Sequence, residues 1–250
     1  MQIVLMYHDV YRHDTNESGF LRERDLPYKI KADSFEQQVK AINDYCQRNN
    51  MGKEYVVFTF DDGGKSFHSV IAPILEKYGY KGLFFISTKY IGTPTFLNEE
   101  EIKDLYNRGH IIGTHAHTHE HLYTLTDEEV ENEWRESVSI LSHIVDAPIQ
   151  YASIPNGDTS KRVLVSASKY GIKHIYTSEP TTRVKYNNNL CIYGRYVIQS
   201  SSSNNIIIIR ILDSNLYRRW LSLVRMIIRC VKVILGDKYI VTKQKLFSHH

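Results

Sequence analysis

Residues 55–64 read Tyr55-Val56-Val57-Phe58-Thr59-Phe60-Asp61-Asp62-Gly63-Gly64. The first six are β-branched or aromatic, the composition of a strand. Two adjacent carboxylates follow at once, and two glycines then turn the chain. In parallel α/β folds the C-terminal ends of the strands are where sites are built. Residues adjacent at a strand end point in different directions, so one carboxylate can bind a cation while the other faces a substrate. An ordinary Asp-Gly turn that caps the next helix looks the same, and this stretch alone does not separate the two.

Working outward, the same alternation repeats. Strands are expected at Ile3 to Tyr7, Leu83 to Ile86, His110 to Ile112, Ile149 to Ile154 and His174 to Tyr176. Helices are expected between them. Ser34 with Gln37 reads as a capping box for a helix to about Asn49, and Asn98 with Glu101 and Thr126 with Glu129 read the same way. Further helices run from Ser66 to Tyr78 and up to Gly171. Repeated β-α units with short connections imply a parallel sheet with helices outside, either a barrel or a doubly wound sheet. The polar segment Arg12 to Lys31 reads as a surface loop, and Ser200 to Ser203 as another. No compositional break marks a linker, so the expectation is a single catalytic domain over residues 1–250, with 205–250 a C-terminal extension.

In that extension Ile206 to Ile209 reads as a strand. From Leu216 to Leu235 the apolar residues Leu216, Trp220, Leu223, Val224, Ile227, Ile228, Val231 and Ile234 recur at helical spacing. Arg218, Arg219, Arg225, Arg229 and Lys232 lie among them, with no acid. Two readings stay open for residues 216–235: a last helix packed on the barrel, or a basic amphipathic helix on an anionic membrane surface.

Bulk properties exclude several classes. The chain has 250 residues, 42% hydrophobic and 24% charged, which is ordinary globular composition. A net charge of +3 gives no case for nucleic acid. Cys46, Cys191 and Cys230 have no CxxC spacing, which argues against a disulfide framework or a cysteine zinc site. No apolar run reaches the roughly 18 residues of a spanning helix. The opening MQIVLMYHDV is too short and lacks the basic start of a signal peptide, so the expected location is the cytoplasm or the cytoplasmic membrane surface.

The second informative stretch is Gly113-Thr114-His115-Ala116-His117-Thr118-His119-Glu120-His121, directly after a strand. His115 and His119 have a workable spacing for two imidazoles on one metal. With a strand-end carboxylate they make a three-ligand site that leaves room for water or substrate. A His-rich loop can also be adventitious.

TFDDG followed by HxxxH after a later strand resembles the NodB-type polysaccharide deacetylases of carbohydrate esterase family 4, over about Ile3 to Tyr176. The resemblance implies a distorted (β/α)7-type barrel. It implies Asp61 as general base, and Asp62, His115 and His119 as metal ligands, with His117 and His121 outside the ligand set. The family's third motif is an Arg followed by a Pro-aromatic-Gly turn. Pro155-Asn156-Gly157 supplies the turn, and the Asn156 backbone N–H is the candidate oxyanion donor, but that Arg is missing. Arg195, in Tyr193-Gly194-Arg195-Tyr196, is the candidate substitute; a surface arginine is the other reading. The family's late catalytic His is not visible, since after His174 only His249 and His250 remain, in a tail. Leu5-Met6-Tyr7-His8-Asp9 is similar to the circularly permuted branch that includes biofilm poly-N-acetylglucosamine deacetylases. That likeness implies His8 as general acid, a task suited to imidazole because it titrates near neutrality.

The expected function is metal-dependent hydrolysis of N-acetyl groups from amino sugars of a polysaccharide or its precursor. Zinc suits the N/O ligands first, with cobalt, nickel or iron compatible. The expected partner is an N-acetylated glycan; the sequence does not speak to oligomeric state. An amidase acting on a non-polymeric amide would use the same residues. A metal-retaining glycan-binding protein without turnover is the third reading.

Overall fold

The structure is a computed structural model that describes residues 2–157, 159–187, 189–202 and 205–235. Asp158, Ser203 and residues 236–250 of the expected extension, with His249 and His250, lie outside the described residues.

Strand β1 (Ile3–Tyr7) is buried throughout, as a continuous apolar run in a two-sided sheet should be. Short strands β2 (Asp9–Tyr11) and β3 (Lys29–Lys31) pair in parallel as a separate ribbon. Helix α1 (Ala32–Arg48) follows β3 directly. It starts before the expected Ser34 cap, from Lys31, without a side-chain cap. Its Phe35, Val39, Ile42 and Cys46 fall on one buried face.

The β-α alternation then runs as expected through β4 (Val56–Phe60), α2 (Ala72–Lys77), β5 (Gly82–Ile86), α3 (Glu99–Asn107), β6 (Ile111–Thr114), α4 (Asp127–Val145), β7 (Tyr151–Ser153), α5 (Lys161–Lys169) and β8 (His174–Tyr176). Both capping boxes, Asn98–Glu101 and Thr126–Glu129, are formed. Three short strands follow, β9 (Lys185–Asn187), β10 (Leu190–Tyr193) and β11 (Tyr196–Val197), and then helices α6 (Asn205–Asp213) and α7 (Asn215–Leu235).

The nine-stranded sheet has the order β11-β1-β4-β5-β6-β7-β8-β10-β9. All its pairs are parallel except β10 with β9. It curls into the distorted, open form of a barrel. Alternate residues serve its two faces. Ile3, Leu5, Tyr7, Phe58, Phe60 and Phe84 join the large core against the helices. Val4, Leu83, Phe85 and Tyr176 form a smaller cluster on the opposite face. Asp61 and Thr59 share the parity of that second face, so the strand delivers Asp61 to the inside of the curl.

Two further expectations are corrected. Ile206 to Ile209 is helical. Four β-branched residues in a row read as a strand, but Ile208, Ile211 and Leu212 are buried on one helical face, and tertiary packing overrides propensity. Tyr45 Oη donates to Asp213 Oδ1 at 3.2 Å and Tyr55 Oη to the Leu212 carbonyl at 2.9 Å, tying α6 to the body. The segment Arg12 to Lys31 is more than a surface loop. It contains β3 and folds inward, with buried Lys29 donating to the carbonyls of Thr15, at 2.7 Å, and Ser18.

Candidate active site

The Asp61 backbone N–H still bonds the Tyr7 carbonyl, at 3.1 Å, so Asp61 completes the strand geometry of β4. Asp62 breaks it with φ of 87°. That left-handed turn, unusual for a residue with a Cβ, aims the two adjacent carboxylates apart. Ser87 N–H donates to the Asp62 carbonyl at 3.2 Å and holds the turn against β5.

Asp62 Oδ1 lies 3.4 Å from His115 Nε2 and 3.1 Å from His119 Nε2. Candidate ligand atoms of these three residues lie within 4.8 Å of one another. Asp62 Oδ1 is buried and accepts no well-directed hydrogen bond despite its closeness to both imidazoles. A buried oxygen without a partner, flanked by two ring nitrogens, has the geometry of a cation site. The donor set fits a divalent metal of the zinc type.

The histidine loop is shaped around its two candidate ligands. Thr114 ends β6 and its Oγ1 accepts the Ala116 N–H at 3.0 Å while donating to Ser137 Oγ at 2.7 Å. Ala116 and His119 take left-handed φ of 60° and 64°, which brings both ring nitrogens back to one point. Buried Glu133 on α4 accepts from the backbone N–H groups of His117 and Thr118, both at 2.8 Å, and from Thr118 Oγ1 at 2.6 Å. His117 turns away, its Nδ1 2.8 Å from Thr88 Oγ1, and the His121 ring stands against Tyr123.

Arg195 is fully buried. Its two terminal nitrogens donate to the two oxygens of Asp61 at 2.6 and 2.7 Å, and its Nε donates to the Thr177 carbonyl at 3.1 Å. The surface-arginine reading is thereby excluded. The corner that delivers it needs Gly194, where a Cβ would stand 2.3 Å from the Glu179 carbonyl oxygen. Burial raises the Asp61 pKa, but the Arg195 charge outweighs this and leaves it below the usual carboxylate range. Burial also pushes Asp62 up, yet the charge of His119 beside it holds it well below that range. Against its own burial, His119 is raised by Asp62.

Ser153 joins the two halves of the site. Its Oγ donates to Asp61 Oδ1 at 3.1 Å and lies 2.5 Å from His115 Nδ1. With that hydroxyl proton given to Asp61, the His115 proton belongs on Nδ1, and the Nε2 lone pair faces Asp62 and the candidate metal position.

These groups open into a cleft of about 310 Å³. His8, from the end of β1, lines it beside Asp61 and Asp62; its ring packs 4.5 Å from Tyr28, and its Nδ1 is buried without a partner. Asn156 also lines it, in a left-handed conformation after buried Pro155, with Nδ2 3.4 Å from the His119 carbonyl oxygen. The inward-folded 12–31 segment makes a wall, placing the Phe20 ring 4.8 Å from that of His119. His8, Asp61, Asp62, His115, His119 and Asn156 thus line one cleft, Arg195 reaches it through Asp61, and Pro155 is buried just before Asn156. Ser153 and Glu133 were missed. The parity of β7 marks Ser153 as facing the sheet interior, but nothing in the sequence marks Glu133, a buried acid on an otherwise amphipathic helix.

A curled parallel sheet with Asp62, His115 and His119 converging at its strand ends, beside an arginine-held carboxylate, defines a deacetylase-type α/β barrel with a candidate metal centre. The chain belongs to the polysaccharide deacetylase family, whose description matches residues 48–175, from the approach to β4 through β8. It is 30% identical over 134 residues to the Bacillus subtilis protein YxkH, covering 54% of this chain and 48% of that one. It is 24% identical over 170 residues to the peptidoglycan-N-acetylglucosamine deacetylase of Bacillus cereus, covering 62% and 60%. The chain spans about half the length of the curated relatives it matches. Among solved structures, the Streptococcus pyogenes deacetylase PplD superposes with a TM-score of 0.67 at 21% identity, over 85% of this chain and 98% of that one, and so shares the fold.

Proposed function

We propose that the chain hydrolyses N-acetyl groups on amino sugars of a glycan, using a divalent metal held by Asp62, His115 and His119. The observation that carries this reading is the buried, bidentate Arg195–Asp61 pair next to the three-ligand cluster. Metal retention alone has no use for an ionised carboxylate held in one orientation and kept off the ligands.

An acetamide resists hydrolysis because its carbonyl is a poor electrophile and its amine leaves badly. A bound divalent ion would polarise the carbonyl and acidify water. Asp61, ionised and fixed by Arg195, takes the proton of the attacking water. The Asn156 backbone N–H donates to the developing oxyanion. His8, placed by β1, donates a proton to the sugar nitrogen as the C–N bond breaks, which completes the balance: hydroxide to the acyl carbon, proton to the amine. The use of a first-strand histidine is the feature that this reading shares with the permuted branch. The glycan is assigned by family, since several relatives are named for amino-sugar polymers.

Acetate release from chito-oligosaccharides tests the reading. Activity should vanish after chelation and return with Zn²⁺ or Co²⁺. A chain that binds these oligomers and metal but releases no acetate would be a glycan-binding protein instead.

A further inference from the structure

Helix α7 is mounted with its apolar stripe outward. Leu216, Trp220, Leu223 and Ile227 lie on one face and are 78%, 54%, 49% and 52% exposed; Met226 beside them is exposed as well. A surface helix ordinarily turns such a stripe to the core. Here the opposite face does the docking. Buried Arg218 donates to the carbonyls of Ile211 and Leu212, and Ser222 donates to the Pro180 carbonyl. Arg225, also on the inner side, lines the active-site cleft.

We infer that this stripe lies along an anionic lipid bilayer surface. These four residues, spaced four, three and four apart, make an apolar row of about 17 Å along the helix, the kind of face by which an amphipathic helix lies in a bilayer interface. The charge selects the occupant. Residues 215–235 include five basic residues and no acid; Arg218 and Arg225 turn inward, and Arg219 is exposed beside the stripe. Two copies pairing through this face would enclose Arg219 with no acid of this helix to answer it, whereas anionic headgroups complement it. Trp220 sits mid-stripe, and indole favours the headgroup boundary. No helix among the described residues is long and apolar enough to cross a membrane, so the helix lies on the surface. The same helix then sets the mouth of the cleft beside the headgroups.

The chain carries its own reporter. Of its two tryptophans, Trp134 is buried and Trp220 exposed. The full chain should sediment with phosphatidylcholine–phosphatidylglycerol vesicles, and its emission should shift to shorter wavelength. Phosphatidylcholine alone should bind it more weakly. The L223E/I227E variant, changed only at exposed positions, should lose about tenfold or more in vesicle affinity. Absence of sedimentation with an unchanged wild-type emission overturns the inference. So does self-association without lipid accompanied by the blue shift, which would make the stripe an interface between copies.

Discussion

Arg195 holds both carboxylate oxygens of Asp61, at 2.6 and 2.7 Å, with the guanidinium fully buried 5.6 Å from the Phe85 ring. A pair this deep contributes little net stability, because desolvation offsets the attraction, but breaking it strands a charge. Arg195→Met should therefore destabilise the fold by about 3–5 kcal/mol in urea unfolding. The double variant with Asp61→Asn should recover much of that loss. Arg195→Lys should keep the charge yet lose the fork, so turnover should fall about 100-fold at unchanged metal content. Equal stability of the single and double Met variants would show that Asp61 does not depend on Arg195.

Ser153 sets the His115 tautomer, so its hydroxyl should be felt at the metal. Ser153→Ala leaves only the Ser153 carbonyl, 3.2 Å from His115 Nδ1. Metal affinity should fall about tenfold or more in a chelator competition. Unchanged affinity would mean that the carbonyl suffices.

Glu133 gathers three donors of the histidine loop. In Glu133→Gln one amide oxygen replaces a charged pair and cannot accept all three as well. A loss of about 1–3 kcal/mol in stability is expected, together with weaker metal binding. If metal affinity holds while stability drops, Glu133 serves the fold alone.

His110 gives a pH signature away from the site. Its Nδ1 accepts the Gly82 N–H at 3.0 Å and its Nε2–H donates to Glu76 at 3.1 Å, so the native ring is neutral. Burial pushes its pKa down to about 4. The unfolded chain takes up that proton below about 6.5 and the native state does not, so stability rises with pH across this window. Acidification from pH 6.5 to 4 should cost up to about 3 kcal/mol through this group, with no further loss from it below that. The difference in unfolding free energy between wild type and His110→Gln should narrow as pH falls through the window. A pH-independent difference would contradict the neutral-ring assignment.

The strand order and the Asp62–His115–His119 cluster were legible because local signals agree with the fold: β4 is apolar, Asp61 and Asp62 stand at its end, and His115 and His119 follow β6. Capping boxes at Asn98 and Thr126 are local chemistry and were equally legible. What failed was set by distant packing. Ile206 to Ile209 favours a strand by composition, but α6 packs as a helix against α1 with Ile208 buried. The 12–31 segment is polar because Lys29, Ser18 and Asp9 satisfy one another in its interior, with Ser18 Oγ donating to Asp9 at 2.6 Å. Ser153 and Glu133 act through partners far along the chain, which no local pattern encodes. In sequence Arg195 carries two readings, and only the closure of its guanidinium on Asp61 separates them.

The central claim is that Asp61 acts on the proton of water while Asp62, not Asp61, holds the metal. The direct measurement is acetate release by Asp61→Asn alongside its metal content, on protein shown folded by circular dichroism. We expect metal stoichiometry equal to wild type and turnover reduced by about 100- to 10,000-fold. Turnover within a few-fold of wild type, or loss of the metal together with activity, would contradict the account.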